Sequence, residues 1–305
     1  MKVTAVETIR SKEHPNLLWV QVLTDEGVTG FGESFYGPAA AEGHIHGLIA
    51  PYLIGKDPRN VEAHQAHLTG YIGFAGASAE MRGRSAIDIA LWDILGQCAN
   101  LPLCDLLGGR VREKIKVYNT CAGYSYVQTE ATQGTHNFGL GAKKGQYEDL
   151  DAFLHRADEL AISLLEMGID AMKIWPPLDY AAEASQGYWI SDVDLKTGLE
   201  PFDKIRRAVG DKMAVAYELH SLWSRPQAIK IAQALEPYKP MWVEDPVFME
   251  HMSSIGEVAR AMGMTVMAFD DYVPASSPAW RDAQRANLQD LLAGSDVISL
   301  HCPLT

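Results

Sequence analysis

The chain has 305 residues, 47% of them hydrophobic and 21% charged, enough apolar material for one large core or two smaller ones, and it reads as neither disordered nor fibrous. A formal net charge of −13 argues against nucleic acid or an anionic membrane as the principal partner, since binding phosphates requires a basic face. The first residues lack the apolar run of a signal peptide and no stretch of eighteen apolar residues occurs, so the expected location is the cytoplasm.

The first third reads as strands followed by helices. Val3 to Thr8, Leu17 to Thr24 and Val28 to Glu33 are β-rich, with Asp25-Glu26-Gly27 supplying a tight turn between the last two. Apolar residues then recur at helical spacing over Ala39 to Leu53, Val61 to Gly70 and Arg82 to Ala99, and Asn100-Leu101-Pro102 marks a stop and restart. His44 and His46 fall on a helical stretch where side chains two apart diverge, which argues against a joint role. The expected fold class is α/β, with residues 1–115 forming an α+β capping domain.

From Lys116 onward the pattern alternates between strand and helix, as βα units around a parallel sheet do. The expected strands are Lys116 to Thr120, Ala171 to Trp175, Ala214 to Leu219, Met241 to Glu244 and Thr265 to Phe269. The expected helices lie at Leu150 to Met167, Pro201 to Val209, Pro226 to Leu235 and Ser253 to Met262. A closed eight-unit barrel takes about 250 residues, more than remain after residue 115, so an incomplete TIM-type (β/α) barrel is expected over residues 116–260. Cys98, Cys104, Cys121 and Cys302 lack zinc or CxxC spacing and read as reduced, mostly buried thiols.

In parallel βα folds the ligand site lies at the carboxyl ends of the strands. Lys173 closes one expected strand, Glu218 and His220 the next, Glu244 the one after, and Asp270 follows Phe269. Glu218, Glu244 and Asp270 are separated by equal steps of 26 residues, close to one βα unit, which would bring three carboxylates to one rim. Hard oxygen ligands suit Mg²⁺, which retains waters and leaves room for a substrate carboxylate. Lys173 is the natural base beside it, a neighbouring cation and partial burial both depressing an ammonium toward neutrality. Each residue also has an ordinary reading. A strand-end carboxylate often caps a helix or pairs with a cation, a rim lysine snorkels, His220 serves either as a supporting hydrogen-bonder or as an acid, and Trp175 either stacks on substrate or packs.

Three features carry a resemblance over residues 1 to about 260. They are Asp25-Glu26-Gly27-Val28-Thr29-Gly30-Phe31-Gly32-Glu33, then Ala86-Ile87-Asp88-Ile89-Ala90-Leu91-Trp92-Asp93 with Leu106-Leu107-Gly108-Gly109, and Glu244-Asp245-Pro246. Together they resemble the mandelate racemase and muconate lactonising branch of the enolase superfamily. The resemblance implies a Mg²⁺-dependent enzyme that abstracts the α-proton of a carboxylic acid. It also implies a small-molecule sugar-acid substrate, a homo-oligomer, and substrate selection by the capping domain around His14 and from Glu33 to Gly37, Tyr36 included. Lys173-Ile174-Trp175-Pro176 followed by Glu218-Leu219-His220 is similar to the acid-sugar dehydratases of that branch, which eliminate water to give a 2-keto-3-deoxy acid. Two departures are visible: only the first lysine of the family's Lys-x-Lys base motif is present, and its first metal aspartate is Glu218. Both weigh against a racemase, which needs bases on two faces, more than against a dehydratase.

From about Ala261 the chain resembles instead the D-2-hydroxyacid dehydrogenases, in Ala261 to Asp270, Leu288 to Leu292 and Ser295 to Thr305. That implies a Rossmann-like fragment over residues 261–305. The glycine fingerprint that should precede it is absent, Gly256 standing alone, so no nicotinamide cofactor is expected. Asp270 is left with three readings: third metal ligand, ribose acid, or a surface residue. A second functional reading is a non-catalytic chimeric or truncated chain, and a third an NAD-binding dehydrogenase fragment.

Overall fold

The computed structural model describes residues 1–70, 78–141, 148–175, 177–265, 267–270, 272–278, 280 and 283–294. The chain divides into two compact units, Met1–Lys116 with Gly123–Gly145, and Val117–Ala122 with Gln146–Thr305.

In the first unit, β1 (Val3–Ile9), β2 (Leu17–Thr24) and β3 (Thr29–Phe35) form an antiparallel meander in the order β1-β2-β3. β2 alternates strictly, so Leu18, Val20 and Val22 are buried on one face. Gly27, with φ 79°, makes the tight turn before β3 that an L-residue would strain. The helices that follow are α1 (Pro38–His44), a π-helical turn (Ile45–Ile49), α2 (Ala50–Leu53), α3 (Val61–Thr69), α4 (Ser78–Ala99) and α5 (Leu103–Leu106). α4 lays Ala86, Ile87, Ala90, Leu91 and Ile94 on the sheet. The backbone approach is so close that a Cβ at Gly32 would collide with the Ala86 carbonyl oxygen, and one at Gly30 with that of Ala90. The Gly-x-Gly of β3 therefore serves helix-on-sheet packing.

In the second unit, α6 (Asp149–His155) and α7 (Ala157–Glu166) precede β4 (Ala171–Ile174). Then come α8 (Pro177–Ser185), α9 (Asp192–Val209), β5 (Ala214–Glu218), α10 (Arg225–Leu235) and β6 (Val243–Glu244). β4, β5 and β6 are parallel neighbours in that order, which is the βα alternation expected. All four residues of β4 are buried, as in a strand covered on both faces. α11 (Ile255–Ala261), β7 (Met267–Ala268), β8 (Gln284–Arg285) and α12 (Leu288–Gly294) close the described chain.

Several expectations are corrected. Lys116 to Thr120 is not a strand; within it Asn119 alone makes a bridge, parallel to Met172, and Val117 and Tyr118 stay exposed. Leu150 to Met167 is two helices, since Arg156 leaves helical geometry at φ −138°, ψ 46°. α9 starts at Asp192, nine residues before Pro201. Pro201 had suggested a helix start, but the start is set by Ser191, whose Oγ accepts the Asp194 N–H at 3.0 Å and donates to its carboxylate at 2.6 Å. Ser191→Ala is expected to lower stability by about 1 kcal/mol, read as a lower urea midpoint with unchanged slope. β7 does not join the β4-β5-β6 sheet; it pairs in parallel with β8 in a sheet of two. Of the three described cysteines only Cys121 is buried, while Cys98 is exposed on the last turn of α4. The dehydrogenase-like stretch Ser295 to Thr305, with Cys302, lies outside the described residues. Among the described residues no helix is long and apolar enough to cross a membrane.

Candidate active site

Lys173 lies on β4, Glu218 ends β5 and Glu244 ends β6, so the parallel register delivers all three to one rim. Lys173 pairs with Ala216, which shares a face of β5 with Glu218, and Glu218 is the direct partner of Glu244. The Lys173 ammonium consequently sits between the two carboxylates, 2.8 Å from Glu218 Oε2 and 3.0 Å from Glu244 Oε1. Lys173 and Glu218 are only 8% and 4% exposed, so their charges interact with little screening from water.

The remaining oxygens are also engaged. Glu218 Oε1 accepts the backbone N–H of His220 at 3.0 Å, and Glu244 Oε2 accepts the indole N–H of Trp242 at 3.0 Å. Burial, the largest influence on both carboxyls, pushes each upward. At Glu218 burial together with the neighbouring Glu244 carboxylate prevails and its pKa is raised. At Glu244 hydrogen bonds from Glu218, Trp242 and Lys173 outweigh burial and its pKa is lowered. For Lys173, burial alone would depress the ammonium, but the two carboxylates overcome it and raise the pKa. That is opposite to the depression expected from sequence, because the charges beside the lysine are negative.

Beside this cluster lies a second pair. Past β5 the backbone turns through left-handed residues, His220 at φ 51° and Ser221 at φ 54°, which swings the imidazole toward α8. His220 Nδ1 lies 3.0 Å from an oxygen of Asp179, a buried residue of α8. Burial disfavours the imidazolium, but the Asp179 carboxylate more than compensates, and the His220 pKa is raised. Trp175 meets the His220 ring edge-on at 5.6 Å, and its own indole N–H donates to the Thr120 carbonyl at 2.7 Å. Tyr118 places its ring 5.9 Å from the Lys173 ammonium and edge-on to Trp242 at 5.1 Å.

The structure thus brings together Lys173, Glu218, Glu244, His220 and Trp175. Asp270 follows β7 in the other sheet, where its Oδ1 accepts the backbone N–H groups of Tyr272 and Val273. Equal sequence steps did not make equal barrel steps, because β7 pairs with β8. Among the described residues no group of three or more His, Cys, Asp or Glu side chains is placed to hold a metal ion. Glu218 and Glu244 nevertheless fit Mg²⁺ in donor chemistry. They are paired carboxylates already gathered around one positive charge, and Mg²⁺ needs only one or two carboxylates from the protein. His14 and Tyr36 belong to the first unit: His14 packs edge-on against Trp19 at 6.3 Å, and Tyr36 lies under the Arg82 guanidinium at 5.3 Å.

Asp179, Trp242 and Tyr118 were not anticipated. Trp242 had a usable signal, standing two residues before Glu244 and so on the same face of its strand. Asp179 had none, since only the path of the β4–α8 connection brings it to His220.

Residues 2–108 match the mandelate racemase / muconate lactonizing enzyme N-terminal domain, and residues 156–273 the enolase C-terminal domain-like family. Residues 253–305 match the NAD-binding domain of D-isomer specific 2-hydroxyacid dehydrogenases. A D-galactonate dehydratase of Ralstonia nicotianae is 29% identical over 273 residues, covering 88% of this chain and 61% of that protein. A D-mannonate dehydratase of Novosphingobium aromaticivorans is 28% identical, covering 80% of this chain and 59% of that protein. The chain therefore spans about three fifths of the length of these curated relatives. The crystal structure of an enolase of the mandelate racemase subgroup from Agrobacterium tumefaciens superposes with a TM-score of 0.72 at 45% identity, covering 92% of this chain and 67% of that one. With these matches, and with Lys173, Glu218 and Glu244 on consecutive parallel strands of the second unit, the chain belongs to the mandelate racemase branch of the enolase superfamily.

Proposed function

We propose that the chain carries the active-site chemistry of an acid-sugar dehydratase, removing the α-proton of a sugar acid and expelling a β-hydroxyl as water. The reading rests on one observation: a buried lysine held between two strand-end carboxylates, with a His–Asp pair on the next turn of chain. The names of the dehydratase relatives support the substrate class.

Glu218 and Glu244 would hold Mg²⁺, whose charge would stabilise the substrate carboxylate as its α-carbon becomes electron-rich. With those two carboxylates engaged by the cation, the amine of Lys173 would be released from its ion pairs and, in its neutral form, would accept the α-proton. The electron pair of the C–H bond forms a double bond to the β-carbon as its C–O bond breaks. His220, anchored through Nδ1 by Asp179, has Nε2 left to protonate the departing hydroxyl, so that water leaves. The enol that remains tautomerises to the 2-keto-3-deoxy acid. Trp175 forms an apolar wall beside the imidazole.

The test is to incubate the full chain with Mg²⁺ and a panel of hexonates and aldarates, D-galactonate and D-mannonate included, and to assay 2-keto-3-deoxy acid. Turnover of at least one acid is expected, lost on chelation and on Lys173→Ala and reduced about 10²–10⁴-fold by His220→Asn. Turnover that survives both chelation and Lys173→Ala would overturn the proposal.

Two observations favour a second reading, a chain of this family that is not itself catalytic: Asp270 is committed to its own turn, and residues 253–305 match a different family. No turnover of any acid, together with no response of the thermal midpoint to Mg²⁺, would favour it.

A further inference from the structure

Glu244 reaches the rim with its two oxygens already distinguished. Oε2 accepts the Trp242 indole N–H at 3.0 Å, while Oε1 faces the position now taken by the Lys173 ammonium, 3.0 Å away. Trp242 stands immediately before β6 and two residues from Glu244, so the bond closes over a two-residue step with little freedom to reorganise. Trp242 is itself braced by Tyr118, whose ring meets it edge-on at 5.1 Å and 81°. An indole nitrogen is a donor only, so it cannot join a cation's ligand set, and its N–H takes up one lone-pair direction of Oε2, leaving Oε1 the freer of the two oxygens.

We infer that Trp242 is a specificity-determining positioning residue: by engaging Oε2 it biases Glu244 toward binding through Oε1 alone and so favours Mg²⁺ over Ca²⁺. The physical reason is coordination number. Mg²⁺ takes six ligands at short range and suits single carboxylate oxygens, whereas Ca²⁺ takes six to eight at longer range and gains from carboxylates that offer both oxygens. Partners that orient a metal ligand are commonly worth 10–100-fold in metal affinity. This inference rests on the proposal that Glu218 and Glu244 hold the metal.

The experiment is a pair of calorimetric titrations, MgCl₂ and CaCl₂ separately, on the full wild-type chain, Trp242→Phe and Trp242→His. Phenylalanine keeps a ring against Tyr118 but loses the donor; histidine restores an N–H. The wild type is expected to prefer Mg²⁺. In Trp242→Phe the preference falls at least about tenfold, and in Trp242→His part of it returns. A Phe variant that folds with the wild-type midpoint and keeps the wild-type preference overturns the inference while leaving the metal site standing. A wild-type chain that binds neither cation overturns the metal site and this inference together. Should both variants fail to fold, the wild type still decides: the assigned Trp242 indole N–H resonance must stay at a hydrogen-bonded position through the Mg²⁺ titration, and its release to a free position overturns the inference.

Discussion

Lys173→Met is expected to unfold the second unit at a distinctly lower temperature and to make it more responsive to Mg²⁺. Methionine keeps most of the apolar stem and deletes the charge between Glu218 Oε2 and Glu244 Oε1. Removing one partner of a buried ion pair costs about 3–5 kcal/mol, because the remaining charges are left without compensation. Glu244 retains 35% side-chain exposure and can recruit water, which places the expected loss near the lower end, about 3 kcal/mol. That corresponds to roughly 6–12 °C in the midpoint of a domain of this size. The two carboxylates then face each other with no cation between them, so one takes up a proton, and added Mg²⁺ no longer has an ammonium to displace. The Mg²⁺-induced rise in midpoint should therefore exceed that of the wild type, in the direction that ligand binding to the native state requires. Differential scanning calorimetry with and without Mg²⁺ measures both. A variant with an unchanged midpoint and an unchanged Mg²⁺ response would show that Lys173 does not neutralise this pair.

Gly32→Ala is the second large effect, and it falls on the other unit. A Cβ at this position would meet the Ala86 carbonyl oxygen of α4 well inside contact distance, and the obstacle is backbone, which has no rotamer to change. Overpacking usually costs 1–3 kcal/mol, and here helix and sheet must separate bodily, so a loss of about 3 kcal/mol is expected. Gly43→Ala in α1 is the matched comparison, since its Cβ would meet nothing within 4 Å. It should raise stability by about 0.5–1 kcal/mol through helix propensity. Urea unfolding of the two variants distinguishes the signs, and equal midpoints would sink the close-packing account of the Gly-x-Gly.

Local chemistry made much of this protein legible in one dimension. The alternation of Leu18, Val20 and Val22, the Asp25-Glu26-Gly27 turn and the apolar spacing of α4 each act over a few residues, so the first unit could be read almost element by element. The same holds for β4, β5 and β6 and for the positions of Lys173, Glu218 and Glu244 at their ends, because a βα repeat ties strand ends to sequence at near-regular intervals. α9 was half missed, since Pro201 carries a strong local signal for a helix start and Ser191 a stronger one in its actual surroundings.

What only the tertiary structure decided depends on partners remote in sequence. Whether Asp270 follows Glu244 onto the rim turned on which strand β7 pairs with, and strand pairing is a competition between surfaces that no local window contains. Asp179 reaches His220 across 41 residues, and Tyr118 reaches Trp242 across a still longer separation, through backbone paths that have no sequence period. The direction of the Lys173 pKa followed the same rule. Residue type says that burial depresses an ammonium; the two carboxylates placed 2.8 and 3.0 Å away by strand register reverse it. The amino-acid sequence by itself determined the elements and the residues at their ends, since those follow from interactions a few residues apart. The charge, orientation and company of the site residues were set by the folded chain, because electrostatic and hydrogen-bonding energies depend on distances in space.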